Sequence, residues 1–336
     1  IYSTIIIVLT SNINQNLNML DRISFDQIKS IASWWKTAGG SSKIEIAALE
    51  PLLWKDGKHS ISDVVSMLKD MDFFVTMTTN GATLTKHANS LKRSGLDLLR
   101  ISWHSLDADV FRKITGGGKL TSVYNGIIAA IDCNLPLKIN RVLLRGYTND
   151  LGEHIKFINY YKLTLKILDL YWTPSSADLY NKYYISPMDA LNDLIEEHQL
   201  IEITSNTQNN TTGRHRKIYL TSNGGADEFK IKETAQKTAT PCQKCSFINE
   251  CLEGYGDYFR VFPNGEASLC YLRTDLSTRN YDSIFSNGTM PLRLVLEGRC
   301  NFNCGFPTEQ SSWCLKQGRG FIFPNRSGVI EIESQH

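Results

Sequence analysis

The run LLRISWHSL at residues 98–106 joins an apolar, β-rich segment to a polar end, and this pattern recurs along the first half of the chain. Similar apolar runs of strand length occupy residues 43–49, 73–80, 137–144 and 165–172. Between the runs lie segments with apolar residues at helical spacing, such as ISDVVSMLKDM (61–71) and SVYNGIIAAIDC (122–133), and FDQIKSIASWW (25–35) precedes the first run. This alternation predicts an α/β fold with parallel strands in a sheet or barrel.

The bulk composition favours a small-molecule partner. The 336 residues carry a formal net charge of +2, which gives no case for a nucleic-acid polymer or an acidic membrane surface. The opening run IYSTIIIVLT is too short to span a bilayer and lacks the basic start and cleavage pattern of a signal peptide. We therefore expect a soluble, cytoplasmic protein without a membrane partner.

The cysteines concentrate late in the chain. Seven of the eight follow residue 241 in short spacings typical of metal sites, which favours a reducing compartment over disulfides. Cys242, Cys245, Cys251 and Cys270 form the pattern CxxCx5Cx18C, and thiolates are soft ligands that suit zinc or iron–sulfur clusters. Spacing alone leaves both metals open at this site.

Polar or turn residues follow each of the five predicted strands. In a parallel α/β barrel ligands bind at the carboxyl ends of the strands, so residues there are candidates for function. Any one of these ends is more often structural than functional. Together they predict one cavity surrounded by Glu50, Asn80, Ser102 and Asn140.

Several strings taken together resemble the radical S-adenosylmethionine (SAM) superfamily, in particular its GTP 3',8-cyclases. They are ALEPLL (48–53), TTNGATL (78–84), LDLLRISWHSLDADVFRKITGGG (96–118), LKINRVLLRGYTND (137–150) and the late cysteines. The resemblance implies a partial (β/α)6 barrel, SAM as cofactor and two [4Fe-4S] clusters. It also implies an electron donor such as flavodoxin or ferredoxin, and a nucleotide or peptide substrate.

By this resemblance, Cys300 and Cys304 would hold the catalytic cluster, at which SAM is cleaved to a 5'-deoxyadenosyl radical that abstracts hydrogen from the substrate. The third cysteine of the family pattern is replaced by Pro307. Either Cys314 supplies the third thiolate, or the site is degenerate, or residues are missing between Phe306 and Pro307.

The resemblance also assigns cofactor-binding residues. Glu50 lies in the string that matches the family's Gly-Gly-Glu-Pro, with both glycines replaced. Thr79, Asn80, Ser102 and Asn140 would line the SAM pocket, and Arg145 would approach SAM or substrate as a catalytic residue.

Three of the late cysteines, Cys242, Cys245 and Cys270, match the auxiliary-cluster ligands of the cyclases. Cys251 is an extra thiol that is similar to those of the twitch and SPASM auxiliary-cluster regions, and it would close the second cluster. The cyclases' glycine-rich tail is not recognisable in this chain, so the resemblance does not fix the substrate.

The family barrel has six strands, whereas residues 43–172 supply five. We expect LRLVLEGR (292–299) to be the first strand, beside the strand that ends at Glu50, so that the chain order is circularly permuted or reordered; a truncated second copy is the alternative. The expected domains are residues 1–175 with barrel strands two to six, 176–290 with the auxiliary cluster, and 291–336 with the first strand and SAM-cluster loop.

Three functional interpretations stay open at this point. The first is a radical SAM enzyme with two clusters. The second is a degenerate homologue that acts as a binding or scaffold protein, which Pro307 and the replaced glycines favour. The third is a zinc-ribbon accessory protein. Iron and sulfide content separates all three.

Overall fold

A computed structural model describes residues 4–9, 22–37, 40–47, 49–168, 170, 172–203, 214–220, 229–235, 240–249, 251, 258–263 and 267–268. These residues belong to two compact units. The first unit holds the described residues up to Met77 and from Ala235 onward, and the second holds those within Thr78–Gln208 and Arg214–Thr234.

The described strands are, in chain order, β1 (Thr4–Val8), β2 (Lys43–Ala47), β3 (Lys55–Asp56), β4 (His59–Ser60), β5 (Phe74–Thr79), β6 (Leu98–Ser102), β7 (Leu137–Val142), β8 (Thr164–Leu168), β9 (Ile201–Ile203), β10 (Arg214–Leu220), β11 (Phe229–Ala235), β12 (Tyr258–Val261) and β13 (Ala267–Ser268). The helices are α1 (Phe25–Thr37), α2 (Ile61–Asp70), α3 (Leu84–Arg93), α4 (Ala108–Ile114), α5 (Leu120–Asp132), α6 (Leu151–Tyr161), α7 (Ala177–Tyr183), α8 (Pro187–Glu197) and α9 (Thr240–Gln243).

The first unit is built on a sheet in the order β13-β12-β1-β2-β5. Its strands are parallel except for the antiparallel pair β12 and β13. Ile5 and Ile7 of β1 and Ile44 and Ile46 of β2 are buried on one face, as the period of two in a strand requires. Helix α1 covers part of this sheet, because the Trp34 and Trp35 rings lie 5.8 and 5.6 Å from the ring of Phe259 on β12.

The position of β1 contradicts the predicted place of residues 292–299 beside β2. Ile5 to Val8 pair in register with Ile44 to Ala47 of β2, and the other edge of β2 pairs with β5. Both edges of β2 are therefore occupied, and the expectation that residues 292–299 lie beside it is wrong. The N-terminal run supplies the strand at this edge instead. Residues 292–299 themselves lie outside the described part of the chain.

The second unit contains the strand order β6-β7-β8-β11-β10-β9. Strands β6, β7, β8 and β11 run parallel, and β9 pairs antiparallel with β10. Helices α3 and α5 pack closely here: a Cβ on Gly126 of α5 would lie 2.9 Å from the Cβ of Leu84 on α3 and 2.8 Å from the Gly81 carbonyl oxygen. Only a glycine fits that approach.

The α/β fold predicted from the sequence is confirmed, and its five runs are strands β2 and β5 to β8. The helices predicted at 25–35, 61–71 and 122–133 are α1, α2 and α5. The domain boundaries near 175 and 290 stay predictions. Within the described residues, no helix has the length and apolar character needed to cross a membrane.

Candidate functional site

A polar row crosses three neighbouring strands of the second unit. Ser102 of β6 lies opposite Asn140 of β7, and Asn140 lies opposite Lys166 of β8. Paired residues in a sheet place their side chains on the same face, so these three share one face. The preceding residues Ile101, Ile139 and Leu165 are fully buried on the other face.

Asn140 offers an unused acceptor in this row. Its side chain is 8% exposed, and its Oδ1 atom is buried without a hydrogen-bond partner among the described residues. An unsatisfied buried carbonyl costs on the order of 1–3 kcal/mol, so such atoms usually meet a donor from water or a ligand. Asn140 therefore fits a ligand that carries an amino or hydroxyl group.

Thr79 and Asn80 form the turn after β5. Thr79 Oγ1 accepts a hydrogen bond from the Gly81 amide at 3.0 Å, and Asn80 Oδ1 accepts one from the Ala82 amide at 2.9 Å. Gly81 has a φ of +75°, which this tight turn requires and which favours glycine. The oxygen atoms of both side chains thus have a local structural role.

Glu50 belongs to the first unit, whereas the other predicted SAM-pocket residues belong to the second. Its Oε1 accepts a hydrogen bond from the Leu52 amide at 3.0 Å and caps the short 3-10 helix Pro51–Leu53. Arg145 is exposed in the loop between β7 and α6, and its amide donates to the Tyr183 carbonyl at 2.7 Å. Of the predicted pocket residues, Ser102 and Asn140 are brought together by direct strand pairing.

A buried charge cluster lies at the carboxyl ends of β6 and β7, and the sequence analysis did not predict it. Arg141 is fully buried, and its Nη2 lies 2.5 Å from Asp150 Oδ1. Asp150 Oδ2 accepts hydrogen bonds from the Ser105 hydroxyl at 2.6 Å and from the Leu106 amide at 2.5 Å. The carboxylate thus ties β7, the segment after β6 and the start of α6 together.

Two histidines complete this cluster. His154 Nδ1 lies 3.0 Å from Arg141 Nη1, and the Trp103 ring packs edge-on against His154 at 4.5 Å. His104 Nδ1 accepts a hydrogen bond from the Val142 amide at 3.2 Å. Both nitrogens act as acceptors, because an arginine and a backbone amide can only donate, so both rings are neutral.

The pKa values in the cluster follow from burial and from the Arg141 charge. Burial, reinforced by Arg141, lowers the pKa of His104 from 6.5 to about 4. The same two causes hold the pKa of His154 well below its ordinary value. Burial alone would raise the pKa of Asp150, but Arg141 and the Ser105 hydroxyl outweigh burial and lower it. The cluster therefore keeps one arginine–carboxylate pair charged and both histidines neutral.

One signal in the sequence points to the cluster. Arg141 stands inside the apolar run LKINRVLL, and a cation in a buried strand needs a carboxylate partner. The sequence does not show that Asp150 is that partner or that His104 and His154 join it.

Three of the predicted metal ligands are described by the structure. Cys242 and Cys245 are half-buried and Cys251 is buried. The Cys245 Sγ accepts a hydrogen bond from the Phe247 amide at 3.4 Å. No group of three or more His, Cys, Asp or Glu side chains is placed to hold a metal within the described residues. Cys270, Cys300, Cys304 and Cys314 lie outside them, so the ligand assignments stay predictions.

Known proteins share this sequence pattern and fold. Residues 12–158 match the radical SAM superfamily. Over 265 residues, the chain is 29% identical to a probable GTP 3',8-cyclase of Archaeoglobus fulgidus, covering 77% of this chain and 79% of that protein. Over 137 residues it is 39% identical to a probable GTP 3',8-cyclase of Methanosarcina mazei, covering 39% of this chain and 40% of that protein.

Two solved structures have a similar fold. Streptococcus suis SuiB has a TM-score of 0.56 at 13% identity, covering 89% of this chain and 68% of that one. The structure of anSMEcpe with bound AdoMet has a TM-score of 0.55 at 12% identity, covering 87% of this chain and 77% of that one. At these identities the likeness concerns the fold alone.

Proposed function

Since residues 12–158 match the radical SAM superfamily, we propose that this protein is a radical SAM enzyme that acts on a nucleotide or peptide substrate. When bound, a [4Fe-4S] cluster and SAM supply one-electron chemistry that yields a 5'-deoxyadenosyl radical, which abstracts hydrogen from the substrate. The observation that carries the proposal is this match, and the polar row of Ser102, Asn140 and Lys166 on one face of the sheet supports it.

The residues in that row fit SAM chemically. SAM carries an ammonium group and ribose hydroxyls, and the buried Oδ1 of Asn140 has no partner among the described residues. We assign Ser102 and Asn140 to SAM binding, with Thr79, Asn80 and Glu50 as further contacts and Arg145 directed to SAM or substrate. Their task is to bind and orient the cofactor and exclude water from it.

The cluster ligands must come from outside the segment after β1. Residues 9–24, between β1 and α1, contain no cysteine. We assign the SAM cluster to Cys300, Cys304 and Cys314, and a second cluster to Cys242, Cys245, Cys251 and Cys270. Flavodoxin or ferredoxin in a reducing cytoplasm is the proposed electron source.

The same cysteine-free segment favours a second candidate function. In a degenerate homologue the barrel and the auxiliary cluster persist, while SAM cleavage is lost. Such a protein would act as a binding or scaffold protein.

Release of 5'-deoxyadenosine tests the proposal. Anaerobically reconstituted protein with SAM and dithionite should release it, and Cys304→Ala should abolish the release. Cys133→Ala, at a half-buried cysteine after α5, is the matched control and should keep the activity. If the wild type carries about eight irons per chain and releases no 5'-deoxyadenosine, the scaffold interpretation replaces the enzyme interpretation.

SAM binding tests the pocket assignment separately. Asn140→Ala should weaken SAM binding by about tenfold, because one buried hydrogen bond is lost, while the iron content stays at the wild-type value. Unchanged SAM affinity in this variant would remove Asn140 from the pocket.

A further inference from the structure

The pairing between β6 and β7 ends at the two residues that we assign to SAM. Ser102 is the last residue of β6 and lies opposite Asn140. The Trp103 amide still donates to the Asn140 carbonyl, at 2.9 Å. The Val142 amide of β7 then donates to the His104 side chain, at 3.2 Å. Beyond Trp103, side chains therefore take over the connection between the end of β6 and β7.

Asp150, the residue before α6, connects the same two segments. Its Oδ2 atom accepts hydrogen bonds from the Ser105 hydroxyl at 2.6 Å and from the Leu106 amide at 2.5 Å. Its Oδ1 atom lies 2.5 Å from Nη2 of Arg141, which directly follows Asn140 in β7. One carboxylate thus joins the segment after β6 to β7 beside a pocket residue.

The Ser105 side chain is engaged entirely within the protein. The residue is fully buried, and its hydroxyl donates to Asp150 while its oxygen accepts a hydrogen bond from the Asp107 amide at 3.0 Å. Both hydrogen-bonding capacities of this hydroxyl are therefore used locally. Ser105 can affect a ligand only through the position that it gives to the neighbouring backbone.

We propose that Ser105 is a positioning residue for SAM binding, because its bond to Asp150 fixes the end of β6 and holds Ser102 opposite Asn140. This inference rests on the proposed function, in which Ser102 and Asn140 bind SAM. A binding residue is effective only when its supporting residues hold it within about 0.5 Å of the productive geometry. Loss of the Ser105 bond should therefore weaken SAM binding without removing an atom that touches SAM.

Ser105→Ala tests this role in the anaerobically reconstituted full chain. Its SAM affinity, measured by equilibrium dialysis, should fall by about fivefold. In SAM cleavage the KM for SAM should rise by a similar factor while kcat stays at the wild-type value, since lost binding raises KM alone. Partial unfolding would instead lower kcat and leave KM unchanged, because it only reduces the number of active molecules. That result would overturn the proposal.

Ser94→Ala is the matched control. Ser94 is also buried, and its hydroxyl donates to the Leu91 carbonyl at 2.8 Å, just after α3. Each variant removes one buried serine hydroxyl, so the two melting temperatures should fall by similar amounts. Ser94→Ala should nevertheless keep the wild-type SAM affinity. An equal loss of SAM affinity in both variants would show general destabilisation and exclude a positioning role.

A double variant shows whether Ser105 acts through Ser102. Once Ser102→Ala has removed the pocket hydroxyl, adding Ser105→Ala should weaken SAM binding much less than it does in the wild type. If the two losses of affinity multiply instead, Ser105 does not act through Ser102 and the proposal is wrong.

The wild type separates this inference from the proposed function. If it binds and cleaves SAM, and Ser105→Ala does so with unchanged affinity and KM, the positioning role fails while the proposed function stands. If the wild type binds no SAM, the proposed function fails, and the positioning role fails with it.

Discussion

Arg141 is a fully buried guanidinium whose charge controls the residues around it. Its pair with Asp150 replaces the water that both groups lose on folding, and the Ser105 hydroxyl and Leu106 amide satisfy the remaining carboxylate oxygen. His104 and His154 accept hydrogen bonds in the same cluster and stay neutral as a result. At the scale of single residues, this cluster makes stability depend on charge pairing and on pH.

Acid should destabilise the fold through the two buried histidines at a higher pH than through Asp150. In the unfolded chain His104 takes up a proton near pH 6.5, whereas in the fold its pKa is about 4. The free energy of unfolding should therefore fall as pH drops from 6.5 toward 4, by up to roughly 3 kcal/mol from His104, and His154 acts in the same direction. The lowered pKa of Asp150 affects the free energy of unfolding only at pH values below this window.

Urea unfolding at several pH values between about 7.5 and 5 measures this dependence. His104→Gln keeps an acceptor for the Val142 amide but cannot titrate, so its stability should change less with pH than that of wild type. His87→Gln on α3 is the control and should follow wild type. Equal slopes in all three proteins would contradict the role of His104.

Replacing both Arg141 and Asp150 should lower the free energy of unfolding by less than the sum of the two single replacements. Asp150→Asn leaves a buried, unpaired guanidinium and should lose about 3–5 kcal/mol of unfolding free energy. Arg141→Met should also destabilise, because the half-buried carboxylate loses its cation. The double variant should lose less than the sum of the two, as measured by urea unfolding. Additive losses would show that the pair does not couple.

Strand β1 decides the architecture at the scale of elements. It pairs on both edges, with β2 and with β12, so its N–H and C=O groups are used on both sides. Its buried isoleucines alternate with half-exposed residues, which fixes the register of the pairing.

Substitutions along β1 should follow this alternation. Ile7→Ala should lose about 2–4 kcal/mol of unfolding free energy, because its side chain is fully buried and a cavity remains. Ile6→Ala, on the half-exposed face, is the matched control and should lose clearly less. Equal losses at the two positions would mean that β1 does not pack in this register.

At the scale of the whole molecule, the proposed enzyme depends on two clusters held by separate cysteine sets. Two backbone turns lie in the segment that carries Cys242, Cys245 and Cys251. In these turns the Cys245 amide donates to the Cys242 carbonyl, and the Cys251 amide donates to the Phe247 carbonyl. Cluster binding is part of folding for such segments, since thiolate ligands must be collected together.

Iron content tests this organisation. Cys245→Ser should lose roughly half of the bound iron and lower the melting temperature, because one cluster is not assembled while the other persists. Cys133→Ser, outside both sets, should keep the wild-type iron content. Wild-type iron in the Cys245 variant would rule out the auxiliary cluster.

The sequence by itself determined the local elements. Strands β2 and β5 to β8 and helices α1, α2 and α5 follow from hydrophobic periodicity, which depends only on near neighbours. The sequence also placed Ser102 and Asn140 on neighbouring parallel strands, and they pair directly in the sheet. The run TIIIV at β1 is continuously apolar, and such a run does not distinguish a buried strand from other apolar segments.

The tertiary structure alone decided which run lies beside β2 and which group neutralises Arg141. Two apolar runs, at residues 4–8 and 292–299, suit the same edge by composition, and only the packing of the whole sheet selects β1. Ser105 and Asp150 lie 45 positions apart, and their contact depends on how β7 and α6 return to the end of β6. Pairing across such separations is set by the three-dimensional path of the chain, which local periodicity does not encode.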